Sequence, residues 1–444
     1  MRLIAANPLP DDFLLSIFRY LCPKDLCTCG CVCVQWSRAA GHVLKSDWSN
    51  LSIWIAQNKC HVTWSTNSQV GRFSPQHRLS IEAHNLKYFE KYLQKYAPHL
   101  QTLEILLSGW NIAKLPDWIS QNLVELLTHR LTKVVISSQN ANQVIAKSLS
   151  EILLSTQQQP YFEFIAQPNS GDTGLLQLLS PEIRLNSLQL FDNPDEASLD
   201  HILRTQSGSL QKLSLQNCPE ELDLSSFVCL QSLSLARSSG FPKLPDDAKS
   251  GAPKVLILYE CSSLDLTSLT PYFGSLQALE ICHCSDLKVC NLLESVKLLK
   301  SLEIFRFRGG GWDFRWSLGE LAERLATHCP RLRALNVGGV SSTLTDDIRY
   351  LKDFLLSFFA LRENFRQESR LILDAGFSHG NVENVARILE KSLDRNLLEV
   401  KAQQFADMFS ANRIWIRSKR TNQSLVVVSD LTSVREEFWK LCRL

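Results

Sequence analysis

Fourteen cysteines are the residues of this sequence most able to do chemistry, and their spacing decides which chemistry is open to them. Five fall between Cys22 and Cys33, four of them in the alternation Cys27-x-Cys29-x-Cys31-x-Cys33. Zinc sites space their ligands as C-x₂₋₄-C with a second pair downstream. Alternate residues on a helix point away from one another, and Cys60-His61 makes a poor second pair. Reduced thiols packed as small hydrophobes are therefore expected, with no metal and no cofactor. Gly309-Gly310-Gly311 lacks the Gly-Lys-Ser/Thr ending of a phosphate loop, so nucleotide binding is not expected. The flanking Phe305-Arg306-Phe307-Arg308 and Trp312-Asp313-Phe314-Arg315-Trp316 leave three readings open: aromatics folded onto their own core, anchors of a protein contact, or stacking on single-stranded bases. Ten histidines are scattered without a Ser/His/Asp, Cys/His or paired-carboxylate pattern. The chain reads as a scaffold and not as an enzyme.

The balance of charge narrows the partners. In 444 residues, 47 basic side chains face 45 acidic ones, a net charge of +2. Nucleic-acid binders carry a clear basic excess, so nucleic acid is not an expected partner. A hydrophobic fraction of 45% is too high for a disordered chain. Leu3-Ile4-Ala5-Ala6 is too short for a secretory leader, and no window offers the ~20 apolar residues of a membrane span. The expectation is a soluble cytoplasmic or nuclear protein with reduced cysteines.

The elements that hold these residues repeat. Leu210, Leu213, Leu215 and Cys218 define a frame at positions 1, 4, 6 and 9, which recurs at Leu276, Leu279, Ile281 and Cys284. Leu256, Leu258 and Cys261 keep it with Pro253 in the first slot, and Leu230, Leu233 and Leu235 keep it with Ser238 last. Leu299, Leu302 and Ile304 with Phe307 fit it, as do Leu185, Leu188, Leu190 and Asn193, and Leu332, Leu335 and Val337. Weaker copies start at Leu100, at Leu131 and before Leu371, and one degenerate copy around Phe162–Ile165 spans the gap. Successive starts from Leu185 onward lie between 20 (Leu210 to Leu230) and 36 (Leu332 to Glu368) residues apart. This pattern resembles leucine-rich repeats, whose period is about 20–29 residues. In such a repeat each short strand turns its leucines into a shared core and its alternate residues outward.

Longer units have room for a helix behind the strand. Leu318, Leu321, Ala322 and Leu325 fall at helical spacing, and Phe89, Leu93, Tyr96 and Ala97 precede Pro98 in the same layout. Beyond Asp374, Val382 to Leu393 and Leu397 to Phe409 read as amphipathic helices. Ile414–Ile416 and Leu425–Val428 read as two strands closing the solenoid, whose open end needs a cap.

At the other end, Leu9-Pro10 opens a short helix with Phe13, Ile17 and Leu21 at i, i+4 and i+8. A second helix carries Leu26, Cys29 and Cys33; Gly30 inside it costs about 1 kcal/mol relative to alanine. A third carries Trp36 and Ala40. Three short helices make a poor core alone and ask for a partner. Leu9-Pro10, Phe13, Ile17-Phe18, Leu21, Asp25-Leu26 and Val32-Cys33-Val34-Gln35-Trp36 together resemble an F-box, with no insertion or deletion.

The combined resemblance is to an F-box/leucine-rich-repeat protein. It implies an α/β fold: a leucine-rich-repeat solenoid, with a curved parallel sheet and convex helices, preceded by a small three-helix F-box. The expected boundaries are residues 1–48 for the F-box, 49–99 for a linker and N-terminal cap, 100–376 for the repeats and 377–444 for the C-terminal cap. The resemblance further implies a non-catalytic substrate receptor of an SCF-type ubiquitin ligase. Leu9, Pro10, Phe13, Ile17, Leu21, Leu26, Val32, Cys33 and Trp36 would bind a Skp-type adaptor, and through it cullin and RING subunits. The alternative is a scaffold acting outside ubiquitin transfer. Counting along the frame, an outward column Ser214, Ser234, Ile257, Glu280, Glu303, Asn336 is expected beside Gln216, Ala236, Tyr259, Cys282, Phe305, Gly338. Exposed Tyr259 and Phe305 beside Glu280 and Glu303, with Arg306, Arg308 and Trp312, then form the expected target-binding surface, suited to a basic segment of an unknown protein.

Overall fold

The computed structural model describes residues 9–21, 23–46, 50–56, 59–65, 79–82, 102–108, 132–138, 154, 160–166, 182–191, 196–218, 222–245, 252–262, 266–284, 289–308, 318–332, 334–338, 370–374, 387, 390–391, 398–403, 413–418 and 424–428. The chain divides into two compact units, Met1–Leu210 and Gln211–Leu444.

The first unit opens with three helices, α1 (Asp11–Phe18), α2 (Pro23–Cys29) and α3 (Val34–Ser46). Pro10 cannot extend a helix backward, and its carbonyl takes the N–H groups of Phe13 and Leu14 at 3.0 and 3.1 Å. Asp11 and Asp12 sit in the first turn, where the helix dipole favours negative charge. Gly30 lies in the turn after α2, its N–H closing on Leu26 O at 2.9 Å. It therefore ends the helix and carries no interior penalty, contrary to the expectation. Cys33 is likewise not part of α2. Its Sγ accepts the Trp36 N–H at 3.5 Å at the start of α3, the place of a capping side chain.

After the helices come β1 (Asn50–Ala56), β2 (Lys59–Ser65) and β3 (Leu79–Glu82), which pair antiparallel in that order. On its other edge β1 pairs parallel with β4 (Thr102–Ser108). A parallel ladder then runs through β5 (Lys133–Ser138), β6 (Tyr161–Ala166) and β7 (Ser187–Leu190). Leu103, Val134 and Phe162 align, as do Ile105, Ile136 and Phe164, and all six are buried. The copy around Phe162 thus supplies its strand. Helix α4 (Glu196–Gln206) follows, and Gln206 Nε2 donates to Ile183 O at 2.9 Å while its Oε1 accepts the Leu185 N–H at 2.8 Å.

In the second unit, β8 (Lys212–Gln216), β9 (Ser232–Ala236), β10 (Val255–Tyr259), β11 (Ala278–Cys282), β12 (Ile304–Arg308), β13 (Ala334–Gly338) and β14 (Arg370–Asp374) form a parallel ladder. A 3₁₀ helix (Leu266–Tyr272) and helices α5 (Val289–Val296) and α6 (Leu318–His328) lie between strands. The helix read from Leu318 to Leu325 is α6; the one read at Phe89–Ala97 lies outside the described residues. Beyond β14 come β15 (Leu398–Gln403), β16 (Arg413–Ser418) and β17 (Ser424–Val428). β17 pairs parallel with β14 and antiparallel with β16, which pairs antiparallel with β15. Residues 398–403 were expected to be helical. Their apolar positions satisfy either period over so short a run, and the pairing with β16 decides for strand. Of the segment Val382–Leu393, Arg387, Glu390 and Lys391 are helical.

Register explains the core. Leu213, Leu233, Leu256, Leu279, Phe305 and Leu335 stand in line across the ladder, and so do Leu215, Leu235, Leu258, Ile281, Phe307 and Val337. The frame expected for β12 is therefore displaced by three residues: its first slot is Leu302, not Leu299. Leu299, Leu302 and Ile304 are all buried too, which is why leucine spacing alone picked the wrong phase. β14 is displaced as well, Leu335 standing opposite Leu373.

Each strand of β8 to β11 is followed at once by a left-handed residue: Asn217, Arg237, Glu260 and His283, with φ of 56°, 51°, 50° and 56°. That conformation costs an L residue about 1–2 kcal/mol. The turned N–H groups of Asn217, Arg237 and Glu260 donate to Ala236, Tyr259 and Cys282 O at 2.7 to 2.8 Å, carrying the ladder around the corner.

Candidate functional site

Two surfaces can be built from the residues upward. In the helical module, Leu14, Phe18, Leu26, Ala39, Ala40, Val43 and Leu44 make a small core. Trp36 packs edge-on against Phe18, ring centroids 5.3 Å apart, and ties α3 to α1. The opposite side of α1 is left outside. Leu9, Pro10, Phe13 (52% exposed), Ile17 and Tyr20 are exposed, as are Val32, Cys33 and Val34 (69%) in the turn into α3. Gln35 Nε2 donates to Leu9 O at 2.6 Å and Asp11 Oδ1 at 2.8 Å, so the start of α3 is held against the Leu9-Pro10 edge. The structure thus brings together on one module's exterior Leu9, Pro10, Phe13, Ile17, Val32 and Cys33. Leu21 and Trp36 are partly covered. Leu26 is fully buried, so its expected part in a partner contact is corrected: it belongs to the module's core, whereas Phe13 and Ile17 stay exposed. Tyr20 and Val34 belong to the exposed apolar set and lay outside the motif pattern that picked the others.

On the repeats, the displaced phase of β12 changes the expected surface. Phe305 is fully buried and Glu303 precedes the strand. The residue beside Glu280 in the outward column is Arg306. Its Nη1 lies 2.6 Å from Glu280 Oε1, with both side chains 3% exposed. Cys282 Sγ sits 3.4 Å from the same oxygen. Glu280 Oε2 and Arg306 Nε are buried without a hydrogen-bond partner. The two adjacent acids expected here are instead a neutral, buried ion pair, and Cys282, expected outside, is buried with them. Toward the earlier strands the column opens: Ser214, Ser234 and Ile257 are half-buried. Arg308 lies in β12, and Trp312 lies outside the described residues.

Tyr259 is exposed (38%) as expected, and three corner residues gather round it. Arg237 Nε lies 2.8 Å from Glu260 Oε2. The Tyr259 ring meets His283 edge-on at 5.7 Å. Hydrogen bonding to Glu260 raises the Tyr259 phenol, while the bond from Arg237 lowers the Glu260 carboxyl. These corner residues follow the frame's sixth position by two, a slot that leucine spacing does not flag.

Behind the corners sit the ninth-position thiols. Cys218, Cys261 and Cys284 are all buried. Cys261 Sγ lies 3.5 Å from Leu235 O, and Cys284 Sγ lies 3.8 Å from Leu258 O. Cys261 and Cys284 are in side-chain hydrogen-bond contact, which with burial pushes the Cys284 thiol up. Burial pushes the Cys218 thiol up to about 12. Among the described residues no helix is long and apolar enough to cross a membrane.

Residues 7–47 match the F-box-like family model. The leucine-rich repeat domain of APL1B is a similar solved structure, 10% identical, covering 75% of this chain and 82% of its own with a TM-score of 0.21. No curated protein matches the sequence. The helical module and the aligned strand registers define the class: an F-box-like module followed by a leucine-rich-repeat fold. F-box modules as a class bind Skp-type adaptors.

Proposed function

We propose that this chain is the substrate-recognition subunit of an SCF-type ubiquitin ligase. In this reading the exposed face of residues 9–34 docks a Skp-type adaptor, which links the chain to cullin and RING subunits. The repeats hold a target protein near the ubiquitin-charged enzyme. The chain performs no bond chemistry of its own; it supplies effective concentration and orientation of a target lysine. The observation that carries the reading is the cluster of exposed Leu9, Phe13, Ile17, Val32 and Val34 over a separate buried core, within the segment that matches the F-box-like family. Contiguous exposed apolar surface of this kind marks an interaction site.

For the target, the contact surface is centred on Tyr259, with Arg237, Glu260 and His283 around it. An exposed aromatic ringed by charge is a common hot-spot arrangement. Because Arg306 balances Glu280, a basic target is no longer favoured.

The test is co-purification of a Skp-type adaptor with the full chain and with Leu9→Ala/Pro10→Ala, followed by ubiquitin transfer to captured proteins in the reconstituted ligase. Capture by the wild type, loss by the double variant and transfer to a bound protein support the proposal. Adaptor capture without transfer to any bound protein favours the scaffold, and equal capture by both chains overturns the docking assignment.

A further inference from the structure

The thiols divide by exposure. Cys218, Cys261, Cys282, Cys284 and Cys329 are buried, whereas Cys31 and Cys33 are exposed. These two flank Val32 in the turn between α2 and α3. That turn is tight: the Cys31 N–H donates to Thr28 O at 3.0 Å and the Val32 N–H to Cys29 O at 3.1 Å. It leaves Cys31, Val32, Cys33 and Val34 exposed as four consecutive residues. Gln35, next in sequence, is bonded to Leu9 O and Asp11, which sets this turn beside the Leu9-Pro10 edge. Cys33 does a second job, since its sulfur accepts the Trp36 N–H and Trp36 packs on Phe18. Two accessible thiols therefore stand inside the apolar surface that an adaptor would cover, and one of them also caps the helix behind it.

We infer that Cys31 and Cys33 form a thiol-modification site, taking glutathione as a mixed disulfide, whose occupation and adaptor docking exclude each other. The inference rests on the proposed adaptor contact. In the reaction the cysteine thiol loses its proton, and its sulfur attacks one sulfur of glutathione disulfide. A cysteine–glutathione S–S bond forms as the glutathione S–S bond breaks, and the departing glutathione thiolate takes up a proton. The cysteine sulfur is oxidised and half of the glutathione disulfide is reduced. The adduct carries two carboxylates and an ammonium onto an apolar contact, where burying them without partners is costly. Linkage makes the effect reciprocal: if the adduct weakens docking, docking must disfavour the adduct to the same degree.

The experiment uses the full chain and purified Skp-type adaptor. The chain is treated with glutathione disulfide, the adduct is mapped by peptide mass spectrometry, and adaptor affinity is measured before and after a reducing agent. The expected result is adducts on Cys31 and Cys33, a loss of affinity of about tenfold or more, and recovery on reduction. Excess adaptor slows labelling of Cys31 and Cys33 but not of Cys229, which is exposed on the repeats. A Cys31→Ser/Cys33→Ser chain, whatever its own affinity, no longer responds to glutathione disulfide. Unchanged affinity of the modified chain, or labelling that adaptor does not slow, overturns the inference while leaving the docking face intact. A fully reduced wild-type chain that captures no adaptor overturns the docking reading itself, and this inference falls with it.

Discussion

Replacing Arg306 by methionine keeps an unbranched apolar stem and removes the guanidinium charge, leaving the Glu280 carboxylate alone at a site where its side chain is 3% exposed. Removing one partner of a buried ion pair costs about 3–5 kcal/mol, because the survivor keeps its desolvation penalty and loses its compensation. Glu280 has little to fall back on. Its Oε1 faces Arg306 and the Cys282 sulfur, and its Oε2 has no hydrogen bond. The double variant Glu280→Met/Arg306→Met should behave differently, since well-packed apolar replacements of a buried pair are neutral or stabilising by about 1–4 kcal/mol. A half-satisfied pair, with Arg306 Nε also unpartnered, lies toward the stabilising end of that range. Urea unfolding followed by circular dichroism, with a check that the denaturant slope is unchanged, reads both effects. A cost below about 1 kcal/mol for Arg306→Met would refute the reasoning, as that is the behaviour of a solvated surface pair. The outcome also bears on function. Reversing Glu280 to lysine would set a second cation against Arg306 in a covered site, so a loss of target capture in that variant would report misfolding and not recognition.

Phe305→Ala is expected to cost about 3–5 kcal/mol, whereas Tyr259→Ala should stay within about 0.5 kcal/mol and show its effect in target capture; equal destabilisation by the two would restore the original phase of β12. In the helical module, Leu26→Ala should cost about 2–5 kcal/mol while Phe13→Ala leaves the melting temperature nearly unchanged and weakens adaptor binding. Raising the pH should destabilise the second unit. The Cys218 thiol has its folded value raised from about 9 to about 12 by burial, so its contribution is fully present below about pH 9 and is lost as pH rises through 12. Unfolding midpoints of wild type and Cys218→Ala across that window check this, and a pH dependence that is the same in both chains counts against it.

The sequence by itself determined the repeats, the helical module and most of what is buried. Leucines at positions 4 and 6 must face inward together because side chains alternate along a strand, and they do so from Leu103 to Leu335. The ninth-position thiols were legible for the same reason. Phase failed at β12, where Leu299, Leu302 and Ile304 satisfy the spacing and are buried as well. Only pairing with β11 could choose Phe305 and Phe307 as the strand's inward residues, and with them the identity of Glu280's neighbour. The same limit applies to residues 398–403, whose strand form depends on hydrogen bonds to β16, and to Leu26, which one-dimensional motif spacing groups with exposed residues although it is itself buried. Corner residues such as Glu260 and His283 carry no hydrophobic signal at all. The left-handed Glu260 donates its N–H to Cys282 O on the next strand, an interaction between residues more than twenty positions apart that only the tertiary structure can specify.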